Sequence, residues 1–333
     1  MSVSPVTGLR DSTKSAASDL GAEDDLPIVD AHHHYWDLSL GKHPWLIGEP
    51  VPGHRYGDYR AICTTFLPED YRRAAGRQNI VGNVYVEAEW DSADPLGETR
   101  WVHAIAERYG TPHAMVAQAW LDRDDAAALL AAQAGFPLVR AVRHKPRSFA
   151  RPEAWHPDHG LPGSMLCPRF RVGYARLAEH DLHFELQTTY WHLPDAADLA
   201  RAFPQILMVI NHTGVPGDRH PDTLARWRAA MASVAACPNV KVKISGLGVP
   251  GEAWTIAANE RVVRDTLALF GTQRCMFASN FPVDGLFRSL DGIFADFKAM
   301  TTDMAPADRR RLFHDNARAV YRLHQTEEVH AQS

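Results

Sequence analysis

The chain has 333 residues, 45% of them hydrophobic, and 35 basic residues against 40 acidic ones give a formal net charge of -5. That is enough for a large buried core, and the near balance of charge excludes a strong field for nucleic acid or an anionic membrane, leaving a small molecule as the expected partner. Cys63, Cys167, Cys237 and Cys275 form no C-x-x-C pair, so neither a disulfide framework nor a zinc ribbon is indicated, and a reducing, cytoplasmic setting is expected.

Residues 1–25 are rich in Ser, Ala, Asp and Gly and have no apolar signal-peptide core, which predicts a disordered tail ahead of one domain over 26–333. No window approaches the roughly 18 apolar residues of a spanning helix. The first apolar run, 28–32, leads into His32-His33-His34. In an extended segment side chains alternate, so Asp30, His32 and His34 are expected on one face and His33 on the other. Two imidazoles side by side can hold one divalent ion.

Seven more short apolar runs follow, over 81–89, 113–121, 138–143, 183–187, 206–210, 240–244 and 275–278. Helical spacing of apolar residues fills the gaps at 98–109, 124–134, 174–180, 194–203, 222–236 and 261–270, with 290–300 and 307–324 closing the chain. The Pro- and Gly-rich stretch 146–163, continued by 167–172, reads as a long loop, either a lid or a solvated insertion. Alternating strands and helices predict an α/β protein with a parallel sheet, and eight such units fit a (β/α)8 TIM barrel, whose reacting groups sit at the C-terminal strand ends. A Rossmann fold is disfavoured because His-His-His, and no G-x-G-x-x-G turn, follows the first strand.

The expected strand ends carry Glu87 and Glu89, Arg143 and His144, Gln187, Asn211 and His212, and Ser279 and Asn280. His212 adds a third imidazole to the first pair, the ligand count of a catalytic metal site with one open position. Arg143, Lys145, Arg147 and Arg171 suit a substrate carboxylate or are ordinary loop charges. Tyr35, Trp36, Trp90, Tyr190 and Trp191 could wall a pocket for a flat molecule or belong to the core.

Three segments carry a family resemblance: Asp30-Ala31-His32-His33-His34-Tyr35-Trp36-Asp37 with Pro44-Trp45-Leu46, Asn211-His212-Thr213-Gly214-Val215-Pro216, and Phe277-Ala278-Ser279-Asn280-Phe281-Pro282-Val283. Together they resemble the amidohydrolase superfamily and, over about residues 27–325, its amidohydrolase-2 branch, which includes sugar lactonases and 2-pyrone-4,6-dicarboxylate lactonase. The resemblance implies hydrolysis at a barrel mouth: water attack opening the lactone of a small sugar acid or a carboxylated catabolic intermediate. It implies one divalent ion on His32, His34 and His212, zinc before manganese, or metal-free catalysis in which these imidazoles polarise the scissile carbonyl.

His32, His34, His212, Asn280 and Asp284 are the expected catalytic set. Glu87, Glu89, Arg143, His144, Gln187 and Tyr190 are the expected substrate contacts. Asn280 stands where the family's Ser-Asp-Trp-Pro motif has aspartate, and an amide cannot act as a base, so Asp284 is expected to replace it ahead of Glu87 or Glu89. Strand four offers no lysine where the resemblance would place one for a bridged pair of ions, which points to a mononuclear site or to none. A metal-dependent decarboxylase and a noncatalytic binding barrel are the alternatives.

Overall fold

Eight strands, β1 (Ile28–His33), β2 (Ile80–Val86), β3 (Ala114–Gln118), β4 (Val139–His144), β5 (His183–Leu186), β6 (Met208–Ile210), β7 (Val240–Ile244) and β8 (Cys275–Phe277), pair in parallel and in chain order. The computed structural model describes residues 25–323, and the expected disordered tail lies outside the described residues except for Asp25. Helices α1 (Pro68–Ala75), α2 (Pro95–Tyr109), α3 (Ala126–Ala134), α4 (Pro168–Ala175), α5 (Leu193–Ala202), α6 (Pro221–Ala235), α7 (Ile256–Phe270) and α8 (Leu290–Ala299) alternate with the strands, making the expected (β/α)8 barrel. No helix among the described residues is long and apolar enough to cross a membrane.

The strands read as continuous apolar runs because both faces are buried. Small and β-branched residues, among them Val29, Ala31, Val84, Val116, Ala141 and Val209, fill the interior. Larger ones, such as Phe184, Leu186, Ile244 and Phe277, pack outward on the helices. A C-terminal run, Pro306–Arg310 with a π-turn Arg311–Asp315 and Asn316–Val320, places Ala317, Val320 and Tyr321 against the interior cluster and plugs the base.

Two elements differ from expectation. Helix α1 escapes sequence reading because four of its eight residues are charged and its buried stripe is only Pro68, Tyr71 and Ala75. Part of the expected loop at 167–172 is instead the start of α4, where Pro168 sits in the first turn and the Phe170–Tyr174 pair at i,i+4 is buried.

The barrel seam decides how the first strand's side chains point. Between the pairings Asp30–Asn83 and His33–Tyr85, β1 advances three residues while β2 advances two, a bulge with one extra residue. Asp30 therefore does not share a face with His32 and His34 as simple alternation predicts. It turns outward, accepting hydrogen bonds from Tyr71 Oη of α1 (2.7 Å), Ser279 Oγ (2.6 Å), the Ser279 amide (2.9 Å) and the His32 amide (3.2 Å). His33 also faces outward, among Tyr35, Tyr71 and Tyr85, which leaves His32 and His34 for the interior. The Asn280 amide donates to the His32 carbonyl and the His34 amide to the Phe281 carbonyl, both at 2.8 Å, so the segment after β8 closes the barrel onto β1.

Asp30→Ala leaves four buried donors without an acceptor and is expected to lower unfolding free energy by about 3 kcal/mol, against about 1 kcal/mol for Tyr71→Phe, as read from urea midpoints at constant slope.

Candidate active site

At the C-terminal mouth, His32 Nε2 and His34 Nε2 stand 3.3 Å apart, and the His212 ring lies with its centroid 4.6 Å from that of His32. His34 Nδ1 donates to the Val86 carbonyl at 2.7 Å, so its proton is on Nδ1 and the Nε2 lone pair faces the site. His212 Nδ1 is held by Ser245 Oγ at 3.0 Å. Burial pushes all three imidazoles below their ordinary pKa, His34 to about 3, with nearby cations adding to the effect: Lys243 at His32, Arg143 at His34, and Arg55 and Arg143 at His212. They are neutral near pH 7.

His212 rides on a left-handed turn, with φ of 55° at His212, 51° at Thr213, 66° at Gly214 and 50° at Val215. For the β-branched Val215 this is a strained conformation, of the kind concentrated at functional sites. Trp227 of α6 braces the turn through Nε1 to the Thr213 carbonyl at 2.7 Å. Opposite, Gly246 after β7 is at φ +63°, and a Cβ there would lie 2.6 Å from the His212 ring, so only glycine fits.

After β8, Asn280 Nδ2 donates to Asp284 Oδ1 at 3.0 Å, and the Asp284 amide donates to the Asn280 carbonyl, also at 3.0 Å. Both side chains are buried. Burial raises Asp284 to about 7, an effect that the Asn280 hydrogen bond, the Arg55 charge and the Gly246 and Leu247 amides only partly offset. Asp284 Oδ2 has no protein partner. The pair thus holds Oδ1, while Oδ2 is buried beside the chamber with no hydrogen-bond partner.

A chamber of about 120 Å³ above these groups is lined by His34, His212, Asn280, Gln187, Arg143 and Arg55, among others. Arg143 donates through Nε to Glu87 Oε1 at 2.5 Å and through Nη1 to Gln187 Oε1 at 3.2 Å, while Lys145 pairs with Glu89. Expected contacts Glu87, Glu89, Arg143 and Gln187 therefore form one network at the mouth. His144 and Tyr190 do not line this chamber: His144 Nδ1 accepts the Leu121 amide at 3.1 Å beside Phe170, and Tyr190 is buried against Trp191. Arg171 faces away, bonded to Asp198 and the Met165 carbonyl.

Two features were not singled out from the sequence. Arg55, in the loop between β1 and α1, lies over the Tyr56 ring at 4.5 Å and forms no ion pair among the described residues. No local signal marks it. Beneath the histidines, Lys243 Nζ pairs with Glu185 Oε2 at 2.8 Å inside the barrel, and Asn211 and Tyr321 donate to the same carboxylate. Burial lowers Lys243 to about 8; for Glu185 burial is outweighed by Lys243 and hydrogen bonding, which hold it at about 2. The strict alternation Val240-Lys241-Val242-Lys243-Ile244 was the available signal.

The amidohydrolase family profile matches residues 29–323. The chain belongs to the amidohydrolase family. An uncharacterized protein, y4mH, of Sinorhizobium fredii is 38% identical to this amidohydrolase over 304 residues, covering 90% of this chain and 99% of that protein. L-fucono-1,5-lactonase of Burkholderia ambifaria is 29% identical over 310 residues, covering 89% and 95%. The crystal structure of an amidohydrolase from Burkholderia multivorans with bound zinc superposes with a TM-score of 0.73 at 25% identity, covering 89% of this chain and 99% of that one.

The donors of this amidohydrolase fit such an ion. Two nitrogens, each 2.0–2.1 Å from one zinc at the tetrahedral angle, stand about 3.3 Å apart, the separation seen between His32 and His34. With its Nδ1–H on the Val86 carbonyl, His34 presents Nε2 as an acceptor, which suits ligation rather than donation to a carbonyl. His212, its ring centroid 4.6 Å from that of His32, offers a third nitrogen at the same mouth. A second cluster, His159, His192 and Asp195, has three candidate ligand atoms within 4.8 Å of one another. There, however, His192 Nε2 accepts the Phe149 amide at 2.9 Å, which puts the proton on Nδ1 and directs it to Asp195 at 2.7 Å. This cluster is a hydrogen-bonded clasp that ties the 146–163 loop to α5.

Elemental analysis of metal-loaded protein is expected to find one equivalent of zinc, lost in His34→Ala and kept in His159→Ala. The reverse pattern would move the ion to the second cluster.

Proposed function

We propose that this amidohydrolase opens a lactone by water attack, with Asp284 as the general base. The observation that carries the reading is the Asn280–Asp284 pair: the family aspartate is replaced by an amide, and a buried carboxylate with one free oxygen arrives from four residues downstream. A base with a pKa of about 7 balances availability against strength at neutral pH. The relatives named as lactonases support the ester as the bond attacked.

In this mechanism the carbonyl of the lactone sits in the chamber over His34 and His212. Water oxygen attacks the carbonyl carbon while Asp284 Oδ2 takes its proton. The ring C–O bond then breaks, and the departing alkoxide recovers that proton, giving the hydroxy acid. A divalent ion on the histidines would supply Lewis-acid polarisation of the carbonyl. Asn280 keeps Oδ1 occupied and so aims Oδ2. Arg143 is spent on Glu87 and Gln187 and positions them, whereas Arg55 is free to take an anionic oxygen of the substrate.

With a panel of sugar-acid lactones assayed by acid release, kcat/KM is expected to rise with pH through about 7, as Asp284 ionises. Asp284→Asn should lower kcat by about 10²-fold or more and remove that limb. Full activity in this variant would remove the assignment of the base.

The same group makes a stability prediction. Because its folded pKa is raised above the unfolded value, the folded state holds the proton more tightly between about pH 4 and about pH 7. Asp284 therefore adds no penalty below that window and a growing one as pH rises through it. Asp284→Asn should be more stable than the parent at pH 8 by about 2–4 kcal/mol, with the difference fading toward pH 4 in paired denaturant titrations.

A further inference from the structure

The chamber over the histidines is small, but it is not the whole cleft. A second cavity of about 330 Å³ adjoins it and shares Trp45, Glu89, Arg143 and Lys145 with it. Its walls come from the end of β4, with Arg143, His144 and Lys145, and from the loops after β1, β2 and β3, each contributing one tryptophan: Trp45, Trp90 and Trp120. All three are held by neighbours. Trp45 Nε1 donates to the Ala88 carbonyl at 2.8 Å, Trp90 packs on His43 and Trp101 with centroids 5.2 and 5.9 Å away, and Arg123 lies 4.9 Å from the Trp120 ring. Between these indoles lie polar groups: the Glu89–Lys145 ion pair and Gln118, whose buried amide oxygen has no partner.

Rigid indoles interleaved with a carboxylate, an ammonium and an amide match a ring with apolar faces and a hydroxylated rim. A plain arene would cover the tryptophans but strip water from Glu89 and Lys145 without replacing its hydrogen bonds, and would leave the Gln118 amide oxygen unpartnered. A pyranose satisfies both requirements. We propose that this annex is a glycosyl subsite, and that the substrate is the lactone of a glycosylated aldonic acid, with the lactone over the histidines and the second sugar between the tryptophans. The inference rests on the lactonase reading for the reaction, but the subsite is tested by binding alone.

Calorimetric titration of the protein with cellobionate and with gluconate, neither of which can be hydrolysed, separates the two. Cellobionate is expected to bind at least about tenfold more tightly, the scale of one well-formed aromatic contact, with the advantage lost in Trp120→Ala and largely kept in Trp120→Phe. The ratio of kcat/KM for cellobiono-1,5-lactone over glucono-1,5-lactone should fall in parallel in Trp120→Ala. Equal binding of the two acids, an advantage indifferent to Trp120, or a preference for dihydrocoumarin over the disaccharide lactone overturns the subsite. If the acids bind as expected and no lactone is turned over, the subsite stands and the lactonase reading falls.

Discussion

The buried carboxylate of Asp30 is the contact on which the site depends. It gathers the hydroxyl of an outer helix, the hydroxyl and amide of Ser279 after β8, and the extra amide of the β1 bulge into one point. A closed parallel barrel has to join its last strand to its first, and here the join is made by a side chain as much as by the ladder. The geometry has two consequences at once. It turns His32 and His34 inward, and it brings Asn280 against the His32 carbonyl, so the base-bearing segment and the imidazole pair meet at one seam.

Below this seam the barrel interior is polar where a simple hydrophobic core would be expected. Lys243 and Glu185 are both fully buried, and such a pair is retained only when its geometry and remaining hydrogen bonds are satisfied. Asn211 and Tyr321 meet that condition for Glu185. The arrangement costs stability relative to an apolar filling, but it puts a positive charge beneath the histidines. Burial first, with this charge at His32, Arg143 at His34 and Arg55 at His212, keeps them unprotonated, which is the form needed for ligation. The C-terminal segment thus contributes to the site from the far end of the barrel, through Tyr321.

At the rim, charges are mostly spent on one another. Glu87 neutralises Arg143 and Glu89 neutralises Lys145, which fixes the wall between the two cavities. Asp284 is the exception among the acids and Arg55 among the cations, for neither forms an ion pair among the described residues: Asp284 is held near neutrality by burial, and Arg55, over the Tyr56 ring, acts on it only through its field. Groups left without a counter-charge inside a cleft are those available to a reacting molecule.

The sequence by itself determined the barrel. Both-faces-buried strands and amphipathic helices leave a periodic record, so all eight strands were legible, and the placement of His32, His34, His212, Asn280 and Asp284 at strand ends followed from it. Helix α1 was not legible, because a charged eight-residue helix with one buried stripe has no distinctive period. Only the tertiary structure decided which way Asp30 points, since a bulge shifts alternation without changing composition. It also decided that Arg143 answers Glu87, that Arg55 reaches the chamber from a loop, and that His144, bonded to a backbone amide, lines the adjoining cavity instead. The reason is the same in each case: burial periodicity is written along the chain, whereas the partner of a polar side chain is set by contacts between residues tens to hundreds of positions apart.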